Sequence, residues 1–395
     1  MLLRLGALLG SVLLSGCVIA AHNLDRGPRW TQGGMATAPI APLAAPSDEA
    51  TASQLQLARE QGMAADSALQ FWLQSGCASS GRMAAGEYQV AYSLRPPQGT
   101  WVSRNGALQW QPPSGNALLA VVVLDGADQR PIPGLAIRAQ IRRVSGEAVA
   151  TQQLAYRWGV PLEEYAAALT LPAGELRIRL DIEPPGFLRH DPINGDRFAE
   201  PAFAEFTSVW FDPQRLAHAP SEDPARALEL AKLQGQSLAR AYAEMSSAVA
   251  NDGAQVLLGD YRVAYAVEFA ETYWHMCDGH LRLNLRPEQS TETNAHVEIA
   301  VLDALTGRFL PGLDVWVTLV DADGQVVGTE SQHFMWHPWM HHYGRNWRIP
   351  GSGHYRLRVH VAPPAWPRAG VDPARRFAQP VDVEFPNVRM LTGQK

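Results

Sequence analysis

The chain is written twice. Asn116–Asp125 (NALLAVVVLD) lines up with Asn294–Asp303 (NAHVEIAVLD), 178 residues further on. The same spacing carries Pro133-Gly134-Leu135 onto Pro311-Gly312-Leu313, Trp158 onto Trp336 and Tyr165 onto Tyr343. Upstream, Gly86–Tyr92 (GEYQVAY) matches Gly259–Tyr265 (GDYRVAY) at a spacing of 173, so the second copy carries five extra residues, expected around Tyr273–His280. Self-similarity at a fixed spacing means that one supersecondary unit is built twice. A length of 395 residues is also beyond what one core serves, so two or three domains are expected.

Each copy opens on a helical stretch. Thr51–Gln74 and Asp223–Val249 are rich in Ala, Leu and Gln, poor in β-branched residues, and free of proline except Pro224 near a start, where it is tolerated. Gly62 and Gly235 are expected to weaken these helices locally. Short alternating runs follow, among them Glu87–Leu94, Leu118–Leu124, Leu135–Arg143, Val297–Leu302, Leu313–Val320 and Tyr355–Val361, with turns such as Asp321–Gly324 and Pro350–Gly353 between them. This pattern predicts a mainly β chain of two tandem immunoglobulin-like β-sandwiches, each preceded by an α-helix.

The N-terminus reads as an export signal. Met1–Arg4 give a short basic start, Leu5–Leu14 an apolar run too short to span and stay, and Ser15-Gly16-Cys17 a small-residue cleavage site. Residues 18–48, rich in Pro, Ala, Gly and Thr without periodicity, read as a flexible tether. The expected organisation is a signal over 1–17, the tether over 18–48, and helix-plus-sandwich units over 49–218 and 219–395. Cys77 and Cys277 can pair in an oxidising compartment. They can equally be buried free thiols, and Cys277 can be a soft metal ligand within His275–His280. A net charge of −6 leaves no basic footprint, so nucleic acid is not an expected partner.

The densest chemistry lies in His333–Gly344 (HFMWHPWMHHYG), which holds four histidines and two methionines among aromatic residues. Imidazole nitrogen with thioether sulfur selects copper over hard cations. The competing reading is a tryptophan-rich packing loop with solvent-facing histidines. On a strand, His296 and Glu298 are two apart and leave the same face, so both can reach one ion.

These residues resemble the periplasmic iron-transport family of bacteria, which includes copper-binding iron-uptake proteins partnering an iron permease. The resemblance covers about residues 85–212 and 258–388. Its motifs are a His-x-Glu, a Met seven residues before the His of His-Tyr-Gly, a Pro-Pro, and an Arg-His after that. The second copy has His296 and Glu298, Met335, and His342-Tyr343-Gly344, but Arg368-Ala369 stands where Arg-His belongs. The first copy is the inverse: Leu118, Ala120, Arg157 and Glu164 replace those ligands, while Arg189-His190 is present after Pro184-Pro185. Family members are homodimers with the metal near the subunit contact. The resemblance therefore implies an internal pseudo-dimer of the two sandwiches with one metal site of His296, Glu298, Met335, His342 and His190. His333, His337, Met340 and His341 are left over and are expected either to form a looser second metal cluster or to line a polar rim.

The expected cofactor is copper, with iron as a transported ion and an iron permease as partner. Leu14-Ser15-Gly16-Cys17 resembles a lipobox, which implies lipidation of Cys17 and anchoring on the periplasmic side of a membrane; Val18 in place of Asp points to the outer membrane. Two other readings stay open: an adhesive surface lipoprotein, since a sandwich by itself implies no function, and a copper oxidoreductase, for which no second cofactor motif, nucleophile elbow or phosphate loop is present.

Overall fold

The computed structural model describes residues 42–47, 49–104, 107–219, 221–248, 254–284, 293–369 and 376–392. The signal segment with Cys17 and most of the tether lie outside them. The last stretch of the tether is held down, because Ala44 exchanges two hydrogen bonds with the Asn194 side chain, at 2.7 and 2.9 Å.

The fold is mainly β. The first half contains α1 (Ala52–Gln74), β1 (Ser79–Ala85), β2 (Tyr88–Arg95), β3 (Thr100–Arg104), β4 (Ala107–Gln111) and β5 (Ala117–Asp125). It continues through β6 (Ile137–Arg143), β7 (Ala148–Arg157), β8 (Glu164–Leu169), β9 (Gly174–Ile182), β10 (Leu188–His190), β11 (Ala202–Phe211) and a short α2 (Pro213–Ala217). The second half contains α3 (Pro224–Ala248), β12 (Gln255–Leu258), β13 (Tyr261–Glu268), β14 (Tyr273–Cys277), β15 (His280–Leu283) and β16 (Ala295–Asp303). It ends with β17 (Val315–Val320), β18 (Val326–Trp336), β19 (His342–Trp347), β20 (Gly353–Val361), β21 (Arg368–Ala369) and β22 (Val381–Met390).

Both halves follow one strand order. The first runs β1-β2-β5-β8-β7-β6-β9-β11, and the second repeats it as β12-β13-β16-β19-β18-β17-β20-β22. Strand β7 pairs with β6 along most of its length and with β8 at its last three residues, so it passes from one layer of a sandwich to the other. The repeated Pro-Gly-Leu and Tyr make the same contacts in each copy. Tyr165 donates to Ile132 O and accepts from Leu135 N; Tyr343 donates to Leu310 O and accepts from Leu313 N.

The helices cover one face of the sandwiches and pack on each other. Thr51 and Gln54 form a reciprocal capping box at the start of α1, and Asp223 caps α3 ahead of Pro224. The two helix glycines correct the sequence expectation. A Cβ on Gly62 would lie 1.6 Å from Asp128 O, and one on Gly235 would lie 1.9 Å from Thr306 O. Glycine there lets helix backbone rest directly on a turn, and that contact outweighs its poor helix propensity.

The halves also exchange parts. Trp336 sits in the core of the first half and Trp158 in the core of the second. Arg130 donates to the carbonyls of His337 and Pro338, while Arg308 donates to those of Gly159 and Pro161. Strand β10 leaves its own half to lie between β18 and β14, and β21 reciprocally pairs with β3.

Two further expectations need correction. The hairpin β14–β15 keeps the register of β3–β4 at the 173 spacing, with Trp101 opposite Trp110 and Trp274 opposite Leu283. The extra residues therefore fall after Leu283 and before Ala295, not around Tyr273–His280. Cys77 and Cys277 are both free. Cys77 is buried behind α1 and donates to Leu73 O, whereas Cys277 lies at the turn of the β14–β15 hairpin. Among the described residues no helix is long and apolar enough to cross a membrane.

Candidate metal centre

Strand register brings the ligand types together. All nine residues of β16 are buried. Val297, Ile299 and Val301 enter the core of the second sandwich, so alternation sends His296 and Glu298 to the opposite face, toward the helices and the first half. There Glu298 lies opposite Gly344 and His296 opposite Asn346 on β19, while Met335 on β18 lies opposite His342. Gly344 is the floor between them. A Cβ at that position would be 2.7 Å from both His296 Nε2 and Met335 Sδ, and 3.0 Å from a His342 ring carbon. The glycine of His-Tyr-Gly thus leaves room for side chains to converge above the sheet.

The first half closes the site. Leu188 and Arg189 of β10 run parallel to Met335 and Trp336, and this delivers His190 over the second sandwich. His190 Nε2 is 3.1 Å from His342 Nε2, and His342 Nε2 is 3.3 Å from Glu298 Oε1. His190, His296, Met335 and His342 have no exposed surface, and Glu298 is 2% exposed. His190, His296, Glu298 and His342 each offer a ligand atom within 4.8 Å of the others.

The far nitrogen of the His296 ring selects its tautomer. His296 Nδ1 is 2.8 Å from Asn346 Oδ1, an acceptor, so Nδ1 carries the proton and the Nε2 lone pair points into the site. His190 Nδ1 is 2.8 Å from Glu271 Oε2, an ion-pair distance that does not form a hydrogen bond. One segment coordinates both arrangements. The Glu271 carboxylate lies against His190, the Glu271 backbone N–H donates to Asn346 Oδ1 at 3.1 Å, and its carbonyl accepts from Asn346 Nδ2 at 2.7 Å. Asp191 has no part in this. It sits at φ 72° and accepts hydrogen bonds from Ile193 N and Asn194 Nδ2 within its own turn.

Burial keeps the His296 and His342 rings neutral. Desolvation lowers the His296 pKa from 6.5 to about 4, opposed by the Glu271 charge, and lowers that of His342 well below 6.5, reinforced by His190 and His337. Neutral imidazoles are the form that ligates. The donor set fits a transition-metal ion on two further counts. The buried His296 Nε2 has no hydrogen-bond partner. Two nitrogens each about 2.0–2.1 Å from one ion are separated by about 2.9 Å at a right angle and about 3.3 Å at the tetrahedral angle. The 3.1 Å between the two Nε2 atoms lies within that interval.

The four left-over residues are dispersed. His337 is buried with its ring 5.3 Å from His190 and 5.7 Å from His342, and its Nε2 is 3.7 Å from Glu49 Oε2. Met340 packs among Leu55, Ala58 and Met245 beneath the helices. The Nδ1 of His341 accepts from His337 N. His333 is exposed on the far side of Gly344, 3.3 Å from Arg345. Three residues that sequence reasoning missed surround the ligands: Asn346, Glu271 and Glu49. Asn346 was within reach, being two residues after Gly344 on a strand; the other two stand in no motif.

The equivalent place in the first half shows what occupies such a pocket without those ligands. Arg157 and Glu164, standing for Met335 and His342, form a buried ion pair; Arg157 also donates to Gln98, and Trp72 Nε1 donates to Glu164 at 3.1 Å. Internal charge pairing fills the volume there.

Residues 288–388 match the family model described as Fe2+ transport protein. Among solved structures, FetP of uropathogenic Escherichia coli strain F11 is 18% identical, over 36% of this chain and 95% of that one, with a TM-score of 0.27. A copper-bound variant of the same protein is 17% identical, over 36% and 92%, with a TM-score of 0.27. Latent PorU of Porphyromonas gingivalis is 10% identical, over 75% and 34%, with a TM-score of 0.16. No curated protein matches the chain. The matched residues take in the second sandwich from β16 through most of β22.

Proposed function

We propose that this protein is a periplasmic metal-binding lipoprotein, anchored through Cys17, that holds one copper ion per chain between its two halves and serves metal acquisition with an iron permease. The ligands are His190 from the first half and His296, Met335 and His342 from the second, with Glu298 as a hard ligand or an acceptor beside them. The observation that carries this reading is the convergence of His190 and His342, 152 residues apart, at 3.1 Å in a fully buried pocket. Thioether with imidazole supports copper, and the carboxylate leaves room for iron as a transported ion. The match of residues 288–388 to the Fe2+ transport protein model supports the transport role. The internal pseudo-dimer explains why each half keeps only part of a ligand set.

The test is copper titration of the mature chain. One tight equivalent is expected, and His190→Ala weakens it as much as His342→Ala, by at least the roughly 10–100-fold that loss of an orienting partner costs. Wild-type affinity in His190→Ala overturns the shared site, whatever His342→Ala does.

A further inference from the structure

The ring of His190 has two edges, and only Nε2 faces the ligands described so far. Its Nδ1 faces a second set of donors: Glu49, His190 and Glu271 each offer a ligand atom within 4.8 Å of the others, and His337 Nε2 is 3.7 Å from Glu49 Oε2. The side chains are withdrawn from water, with exposures of 7% for Glu49, 1% for Glu271, 2% for His337 and 0% for His190. Glu49 comes from the segment ahead of α1, outside the family match, and is fixed there because Trp339 Nε1 donates to its carbonyl at 2.8 Å. Gln61 of α1 holds the same loop by donating to Trp339 O.

We propose that Glu49, Glu271, His337 and Nδ1 of His190 form a second cation site, for a first-row divalent ion harder than copper(I), so that the His190 imidazole bridges two metals. Two carboxylates with imidazole suit Fe(II), Mn(II), Co(II) or Zn(II) rather than a soft ion. When Nδ1 binds the second ion, any proton on it leaves to solvent. The arrangement gives the helical leader a chemical role, because it brings in the carboxylate that makes the centre a two-ion one. This deepens the reading above, since the bridge requires copper on the Nε2 edge.

The probe is Co(II), added to the full mature chain already holding one equivalent of Cu(II). The wild-type protein is expected to take up one equivalent of Co(II), with loss or broadening of the Cu(II) electron paramagnetic resonance signal through the shared ring. Glu49→Gln is expected to keep its copper equivalent and to bind Co(II) at least tenfold more weakly. Absence of a second equivalent, uptake indifferent to Glu49→Gln, or uptake that leaves the Cu(II) signal unchanged each overturns the bridged site. Failure of copper to bind at all, with Co(II) uptake still sensitive to Glu49→Gln, refutes the copper reading and the bridge but leaves a cation site at Glu49.

Discussion

At the scale of single residues, the centre depends on atoms that are missing as much as on ligands. Gly344 has no side chain where His296 Nε2 and Met335 Sδ approach. Gly344→Ala would push both aside, so copper affinity is expected to fall at least tenfold in direct titration; unchanged affinity would show that the floor is not needed. The equivalent pocket of the first half makes the opposite point. Arg157 and Glu164 are about as buried as the ligands they replace, and removing one partner of a buried pair leaves the other charge stranded. Glu164→Gln is therefore expected to destabilise the chain by about 3–5 kcal/mol in urea unfolding, and a loss under about 1 kcal/mol would contradict the role assigned to the pair. His296, Glu298, Met335, His342 and His190 could all be named from motif and spacing. Glu271 and Glu49 could not, because an orienting carboxylate needs only to reach its partner and obeys no spacing along the chain.

At the scale of elements, hydrophobic alternation and turn residues were enough to mark β2, β5, β6, β16, β17, β20 and both long helices within a residue or two. What alternation left undecided was which side of a strand is wet. For β16 neither is: one face meets the sandwich core and the other lies under helices and β10, so the His296–Glu298 pair is buried, not solvated. The helix glycines invert on the same ground. Propensity ranks glycine poorly in a helix, yet Gly235 is where α3 touches Thr306 O. Gly235→Ala is expected to lower stability by about 1–3 kcal/mol through overpacking. The gain of a few tenths to 1 kcal/mol that helix propensity would give is the result that refutes it.

At the scale of the whole molecule, the two halves are interlocked through reciprocal tryptophans, arginines and short strands. Trp336→Ala is expected to cost about 3–5 kcal/mol and to lower the melting of both halves together in one transition. Two separate transitions would mean that the exchange does not couple them. The buried imidazoles add a pH dependence of definite sign. With its folded-state pKa lowered from 6.5 to about 4, His296 takes up its proton in the unfolded chain first. Stability of the metal-free protein from this group is complete above about pH 7 and declines as pH falls from about 6.5 toward 4; His337 and His342 act in the same direction. His296→Gln should flatten the decline in unfolding midpoint across that window, and an unchanged slope rules out the assignment. By itself the sequence determined the repeat, the strand and helix periods and the set of candidate ligand side chains, because each is written in local spacing. The tertiary structure decided which half completes which site, which faces are dry, that the two cysteines stay apart and that a carboxylate from the leader meets His190, because these depend on contacts between segments that no local pattern records.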